Sequence, residues 1–350
     1  MKNPSLAGCI IGTAVGDALG LPYEGVSRQR LPRLLGPPDR HRLVLGKGMV
    51  SDDTEHTCMV AQSLVAAGDD LGEFTRQFAR RLRWWLLALP AGIGKATLRA
   101  ALKLWFGVKP TSSGVFSAGN GPAMRAAIFG ACFDDEERIV RYVRASTKIT
   151  HTDPKAEFGA IAVAVAALLA RRNENVLPDA YLQTISRLIG HKGEELLSLL
   201  REACRSVNDA ESTTTFAEHL GLSRGVSGYT YHTVPVVIHA WLSHQRDYRK
   251  AVTAVIECGG DADTTAAIVG GIVGAAVGIE GIPARWIETI CEWPRTVPWM
   301  QRLSEQLDQS LISASPIKPI GVNPIAVLLR NALFLLVVLF HGFRRLFPPY

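Results

Sequence analysis

The segment from Lys155 to Arg172 is so evenly apolar that it has no face to turn to water, which predicts a central, buried helix. Around it the hydrophobic positions recur at helical spacing with polar faces between them. Leu71 to Leu89 is one such stretch, Leu177 to Leu220 reads as a pair of amphipathic helices joined at a polar Ser212 to Thr215, and Trp286 to Leu311 is the last. Gly225 to Tyr231 introduces a further apolar helix that runs through Trp241.

Two segments carry glycine every fourth residue. Gly8, Gly12, Gly16 and Gly20 form one stripe on a helix from Ser5 to about Leu19, and Gly270, Gly274 and Gly278 form another in the apolar helix after Asp263. A helical glycine costs roughly 1 kcal/mol relative to alanine, so a whole stripe requires a very close neighbour. The two helices are therefore expected to pack against each other. Neither is an unbroken apolar run long enough to cross a membrane by itself.

Polar clusters interrupt this pattern at two helix starts. Ser51-Asp52-Asp53-Thr54 heads one helical pattern, and Glu257-Cys258-Gly259-Gly260-Asp261-Ala262-Asp263-Thr264 leads into the second glycine-striped helix. Ordinary capping needs one short polar side chain. Adjacent aspartates at one helix start repel each other, and two such clusters together offer enough oxygens for hard cations such as Mg²⁺ or Mn²⁺.

Other loops carry weaker signals. Pro22 ends the first helix and leaves Glu24 on a turn, with Asp17 just before it; Arg28 to Val50 reads as a surface loop. Gly92 to Thr97 has the look of a phosphate loop but fails the required spacing, since position 89 is Leu and Ala96 stands where Ser or Thr is needed. Gly119-Asn120-Gly121 opens a helix and can expose amides to a phosphate. His151 lies on a loop that ends a helix, and Tyr229 or Tyr231 is available to stack on a base or to serve the core.

Composition narrows the class. The 350 residues are 47% hydrophobic with a net charge of +6 and no long basic run, which fits an anionic ligand better than a nucleic-acid surface. The basic face of Leu71 to Leu89, with Arg76, Arg80, Arg81, Arg83 and the Trp84-Trp85 pair, is read as solvated. Six scattered cysteines without metal-ligand spacing read as reduced thiols of a cytoplasmic protein, and the N-terminus has no secretion signal in its first residues.

The C-terminal stretch stands apart. Pro316, Pro319 and Pro324 space a linker over 313–324, and 325–350 is an apolar tail. A helix from Ile325 to Phe343 would be roughly 28 Å long. Arg330 near one end can snorkel, Arg344 and Arg345 mark the other end, and Phe343, Phe347 and Tyr350 suit a headgroup belt. Docking of this helix on protein is the alternative; a tail that holds a cytoplasmic catalytic domain at a membrane is the expectation.

The ordered motifs resemble one family. Gly16-Asp17-Ala18-Leu19-Gly20 with Glu24, then Ser51 to Thr54, Gly119 to Gly121 with Met124-Arg125, Thr150-His151 and Gly260 to Thr264 are similar to the ADP-ribosylglycohydrolases, the dinitrogenase-reductase-activating glycohydrolases among them. The resemblance spans about Ser5 to Trp286. It implies an all-α fold of mostly orthogonal helices, one catalytic domain over 1–312, and a site for two Mg²⁺ or Mn²⁺ ions. The implied metal ligands are Ser51, Asp52, Asp53, Asp261, Asp263 and Thr264; the implied catalytic carboxylates are Glu24, Asp52 and Asp53. Substrate is expected at Gly119, Asn120, Gly121, His151 and Tyr229, with Gly92 to Gly94 beside the pyrophosphate. The family usually carries Thr where this chain has Ser51, whose hydroxyl coordinates in the same way. The implied reaction is hydrolysis at C1 of the ribose of ADP-ribose, on a modified protein side chain with arginine favoured, or on a small ADP-ribosyl metabolite. A non-catalytic ADP-ribose-binding module or a structural descendant would not need the complete ligand set.

Overall fold

The computed structural model describes residues 3–344, 346 and 347; Arg345 and Tyr350, read above as interface residues, lie outside them. In chain order the helices are α1 (Pro4–Gly20), α2 (Leu31–Leu34), α3 (Asp52–Ala67), α4 (Leu71–Leu87), α5 (Lys95–Trp105) and α6 (Ala127–Cys132). They continue as α7 (Glu136–Thr150), α8 (Pro154–Arg172), α9 (Pro178–Ile189), α10 (Glu194–Asn208), α11 (Thr213–His219) and α12 (Thr230–Ser243). The last are α13 (Tyr248–Ile256), α14 (Ala262–Val277), α15 (Ala284–Glu288), α16 (Val297–Ser313) and α17 (Pro324–Arg344). The all-α architecture expected from the resemblance is the one observed.

Two predicted elements divide differently. The polar Ser212 to Thr215 junction begins a helix of its own, because the Ser212 hydroxyl accepts the Thr215 amide at 3.1 Å and so caps α11. Trp286 to Leu311 splits into α15 and α16. Pro294 and Pro298 restrict the residues before them, and Thr296 caps the second piece through the Trp299 amide at 3.3 Å.

The glycine stripes meet as expected, and the helices run antiparallel. A Cβ added at Gly8 would lie 2.1 Å from the Gly274 carbonyl oxygen, one at Gly12 2.2 Å from that of Gly270, one at Gly16 2.1 Å from that of Ala266, and one at Gly20 2.4 Å from that of Ala262. Only hydrogen fits between these backbones. The close approach therefore brings the C-terminal end of α1, with Asp17 and the Glu24 turn, to the N-terminal end of α14. α8 is buried along nearly its whole length behind this pair.

A two-stranded ribbon fixes the Glu24 turn. β1 (Val26–Ser27) pairs antiparallel with β2 (Gly259–Gly260), Val26 opposite Gly260. Gly260 has φ +81°, and a Cβ there would sit 2.0 Å from the Val226 carbonyl oxygen, so glycine is required where three segments converge beside Asp261.

The Pro-spaced segment is seated on the domain. The Ile317 amide donates to Val65 O at 2.9 Å, Gln62 Nε2 to Ile320 O at 2.7 Å and Trp299 Nε1 to Gly321 O at 3.0 Å. α17 follows with Ala326, Val327, Arg330, Asn331 and Phe334 buried against the domain. Arg330 does not snorkel: its guanidinium pairs with buried Glu292 at 2.7 Å.

Candidate active site at the junction of α1, α3 and α14

Asp17 organises the start of α3. It lies in the buried interior of α1, and its carboxylate accepts the amide of Ser51 at 2.9 Å, the amide of Thr54 at 3.2 Å and the Thr54 hydroxyl at 2.5 Å. Burial pushes its acidity to about 7 against the pull of those donors. α3 is thus capped by the Ser51 hydroxyl, which accepts the Asp53 amide at 3.3 Å, together with a carboxylate from another helix, which leaves the Asp52 and Asp53 side chains free of that duty. No role was assigned to Asp17 from sequence; its signal was an acid inside a glycine-striped, otherwise apolar helix.

The two acidic clusters come together as expected. Asp53 is 1% exposed, and its Oδ2 accepts the Ser51 hydroxyl at 3.0 Å and the Thr264 hydroxyl at 3.2 Å, so one oxygen joins α3 to α14. Its Oδ1 is buried without a hydrogen-bond partner, and so is Asp263 Oδ1. Asp261 occupies the N-cap position of α14 without capping it; its Oδ2 accepts instead from Asn120 Nδ2 at 2.6 Å. Burial, then the negative charge of neighbours, holds Asp52, Asp53 and Asp263 well above the usual carboxylate range, and burial raises Asp261. Glu24, exposed on its turn, adds its negative charge to the causes that raise both Asp52 and Asp263.

Such a site asks for cations. Unpartnered buried carboxylate oxygens cost free energy, and a carboxylate beside hydroxyls is hard-cation chemistry. Among the described residues no three His, Cys, Asp or Glu side chains alone close on one point. The set that fits is mixed: Asp52, Asp53, Asp261 and Asp263 with the hydroxyls of Ser51 and Thr264, coordination being completed by substrate or water. Metal affinity is expected to rise with pH, because carboxyls with raised pKa must lose protons to bind, by up to roughly tenfold per pH unit per proton displaced. Calorimetric titration of Mn²⁺ in two buffers of different ionisation enthalpy counts those protons. A count of zero near neutral pH contradicts the assignment.

The Gly119 to Gly121 loop adjoins this centre. The Asn120 amide donates to Gly228 O at 2.9 Å, and Asn120 Nδ2 reaches Thr233 Oγ1 at 2.9 Å as well as Asp261. An amide side chain supplies both donors where an acid would repel Asp261. His151 sits behind the loop: it is 3% exposed, its Nδ1 lies 2.8 Å from Thr150 Oγ1, and a Cβ on Gly119 or Gly121 would come within 3.3 or 3.0 Å of its ring. It supports the loop, and burial lowers its pKa to about 3, so it stands neutral.

Arg125 is the hub beneath. Fully buried, it donates to Gly121 O at 2.9 Å, to His56 Nδ1 at 3.1 Å and to Thr150 Oγ1 at 2.7 Å. Sequence reading noted Arg125 only as part of a motif. Tyr229 is half-buried, pairs with Gly119 through the backbone and accepts from Lys155 Nζ at 3.0 Å, whereas Tyr231 is core. Gly92 to Gly94 leads into α5, whose Thr97 hydroxyl stands 3.7 Å from where a Gly121 Cβ would be. A cavity of about 530 Å³ between Val207, Ser212, His244 and Glu257 lies away from these groups, so chemistry rather than cavity volume assigns the site.

Comparison with known proteins gives the family and the fold. The family model described as ADP-ribosylglycohydrolase matches residues 4–316. An uncharacterised protein of Archaeoglobus fulgidus is 34% identical, covering 80% of this chain and 89% of its own. The ADP-ribosyl-[dinitrogen reductase] glycohydrolase of Rhodospirillum rubrum is 28% identical over 83% and 92%, and the ADP-ribosylhydrolase ARH3 of Gallus gallus 27% over 81% and 88%. A solved structure titled ADP-ribosylglycohydrolase-related protein complex shares the fold, with a TM-score of 0.64 at 24% identity over 88% of this chain and 98% of that one.

Proposed function

The chain belongs to the ADP-ribosylglycohydrolase family and is a glycohydrolase, and from that premise we propose a metal-dependent enzyme that removes ADP-ribose from a modified protein side chain, arginine first. The observation that carries the reading is the pair of buried, unpartnered oxygens, Asp53 Oδ1 and Asp263 Oδ1, in clusters joined through Thr264.

Cleavage at C1 of a ribose develops oxocarbenium character, so the barrier falls when the sugar is oriented and a water is deprotonated on cue. Held by Ser51, Asp52, Asp53, Asp261, Asp263 and Thr264, two Mg²⁺ or Mn²⁺ ions would polarise ribose hydroxyls and a water when bound. Glu24 is the carboxylate that would take that water's proton or orient the ribose. Asn120 fixes Asp261 relative to the loop whose Gly119 and Gly121 backbone receives the diphosphate, and the Tyr229 ring is the stacking surface for the base or ribose. An exposed carboxylate at the rim favours a departing guanidinium over a neutral hydroxyl. Six unpaired thiols suit the cytoplasm.

The test is release of ADP-ribose by the full-length protein from Arg-linked, Ser-linked and O-acetyl substrates, with Mg²⁺ or Mn²⁺ and after chelation. Arg-linked substrate is expected to turn over fastest, and chelation to stop it reversibly. Preference for the O-acetyl compound would move the enzyme to small metabolites, and full activity after chelation would remove the metals from the reading.

A further inference from the structure

α17 is amphipathic the wrong way round for water. Three of its four polar side chains face the domain, Arg344 at its C-terminal end being exposed: Arg330 pairs with Glu292, Asn331 Nδ2 donates to Ala88 O at 2.7 Å, and His341 Nε2 lies 2.6 Å from Leu43 O. Its outward face is Ile325, Leu329, Leu333, Leu336, Phe340 and Phe343, each 57% exposed or more. The same contacts bring exposed apolar side chains alongside. Ala88 lies between Leu87 and Leu89, exposed by 52% and 70%, and Leu43 leads to Leu45, fully exposed at the tip of the Val44–Lys47 turn. A surface this apolar on the outside has a non-aqueous partner.

Charge selects the partner. No Asp or Glu occurs from Arg40 to Ser51, from Phe74 to Phe133, or after Asp308, so the segments that carry Leu45, Leu87, Leu89 and the outer face of α17 have only basic charges of their own, Lys47, Arg83 and Arg344 among them. A second copy would set these basic segments against themselves, which repels. An anionic lipid surface complements both the apolar face and these segments. A transmembrane course would demand that the helix leave its seat, stranding Glu292 without Arg330. We propose that α17, still docked on the domain, lies in the plane of an anionic bilayer with its outer face and Leu45 in the headgroup region, and does not span it. The inference is independent of the linkage that the enzyme cleaves.

The seat also touches the active site. Glu292 accepts the Val50 amide at 3.2 Å, and Arg330 donates to Val50 O, one residue before Ser51. A bilayer that holds α17 in place thereby leaves the Ser51 loop undisturbed.

Co-sedimentation of the full chain, in buffer without detergent, is the test. Vesicles of phosphatidylcholine and phosphatidylglycerol in equal parts are compared with phosphatidylcholine alone. Binding is expected to the mixed vesicles only, to fall about tenfold or more as salt is raised, and to be reversed by alkaline carbonate. Leu336→Glu with Phe340→Glu, or Leu45→Glu alone, should abolish binding without changing the melting temperature, since these side chains touch water. Resistance to carbonate would indicate a span and overturn the proposal. Binding indifferent to the anionic lipid, or a stable dimer that ignores vesicles, would do the same.

Discussion

Asp263→Asn should lower turnover by more than about 10³-fold, equivalent to roughly 4 kcal/mol of transition-state stabilisation, and yet raise the melting temperature of the metal-free protein. Both effects follow from one observation. Asp263 is 5% exposed, its Oδ1 has no partner, and burial together with Glu24, Asp261 and Asp53 raises its pKa well above the carboxylate range. A carboxyl whose folded-state pKa is raised stabilises the fold fully only below its unfolded pKa near 4, and that contribution is lost as pH rises through the raised value. At pH about 8 the ionised group therefore opposes folding until a cation arrives, whereas an amide does not. The stability gain of the variant should accordingly shrink towards pH about 5. In the wild type, Mn²⁺ restores the balance and raises the melting temperature by mass action; in the variant that rise should be nearly absent. Thermal melts with metal and with chelator, at both pH values, read all of this without any substrate. An undiminished metal-induced rise in Asp263→Asn would remove this residue from the ligand set.

Much of this centre was legible because it breaks rules that ordinary helices obey. Two aspartates at one helix start exceed what capping requires, and Asp261 indeed does not cap. Glycine every fourth residue is a backbone contact written in sequence, and the contact is present at each of Gly8, Gly12, Gly16 and Gly20. The misses share one physical cause. Asp17, Arg125 and His56 act through partners far along the chain: Asp17 through Ser51, Arg125 through Thr150. Periodicity reports a residue's own helix and cannot say which donor another helix brings to it. His151 illustrates the converse. A histidine on a loop reads as a candidate ligand contact; that its ring also lies against Gly119 and Gly121 is written in no local pattern. Arg330 failed as a snorkelling residue for the same reason as Asp17, because its partner Glu292 lies beyond any local pattern.

The antiparallel glycine seam separates stability from catalysis along one contact. Alanine at Gly8 or Gly16 would each drive a Cβ to 2.1 Å from a carbonyl oxygen of α14, and the atoms met there are backbone, which cannot rotate aside. Alanine gains roughly 1 kcal/mol of helix propensity over glycine. Overpacking costs typically 1 to 3 kcal/mol and sometimes more, and with two helix backbones in contact the cost belongs at the top of that range, so both variants should be less stable. At Gly342 in α17 a Cβ would meet nothing within 4 Å, and the same substitution there should be neutral or slightly stabilising. Activity should then divide the two seam variants. Gly8 faces Gly274, near the end of α14 remote from Asp263, whereas Gly16 precedes Asp17, which holds the amides of Ser51 and Thr54. A shift of about 1 Å in catalytic groups costs on the order of 10²-fold. Gly16→Ala should therefore lose most of its kcat at a temperature where it remains folded, while Gly8→Ala, similarly destabilised, keeps it. Equal kcat in the two folded variants would mean that Asp17 tolerates displacement, and that the α3 cluster is positioned by something other than the seam.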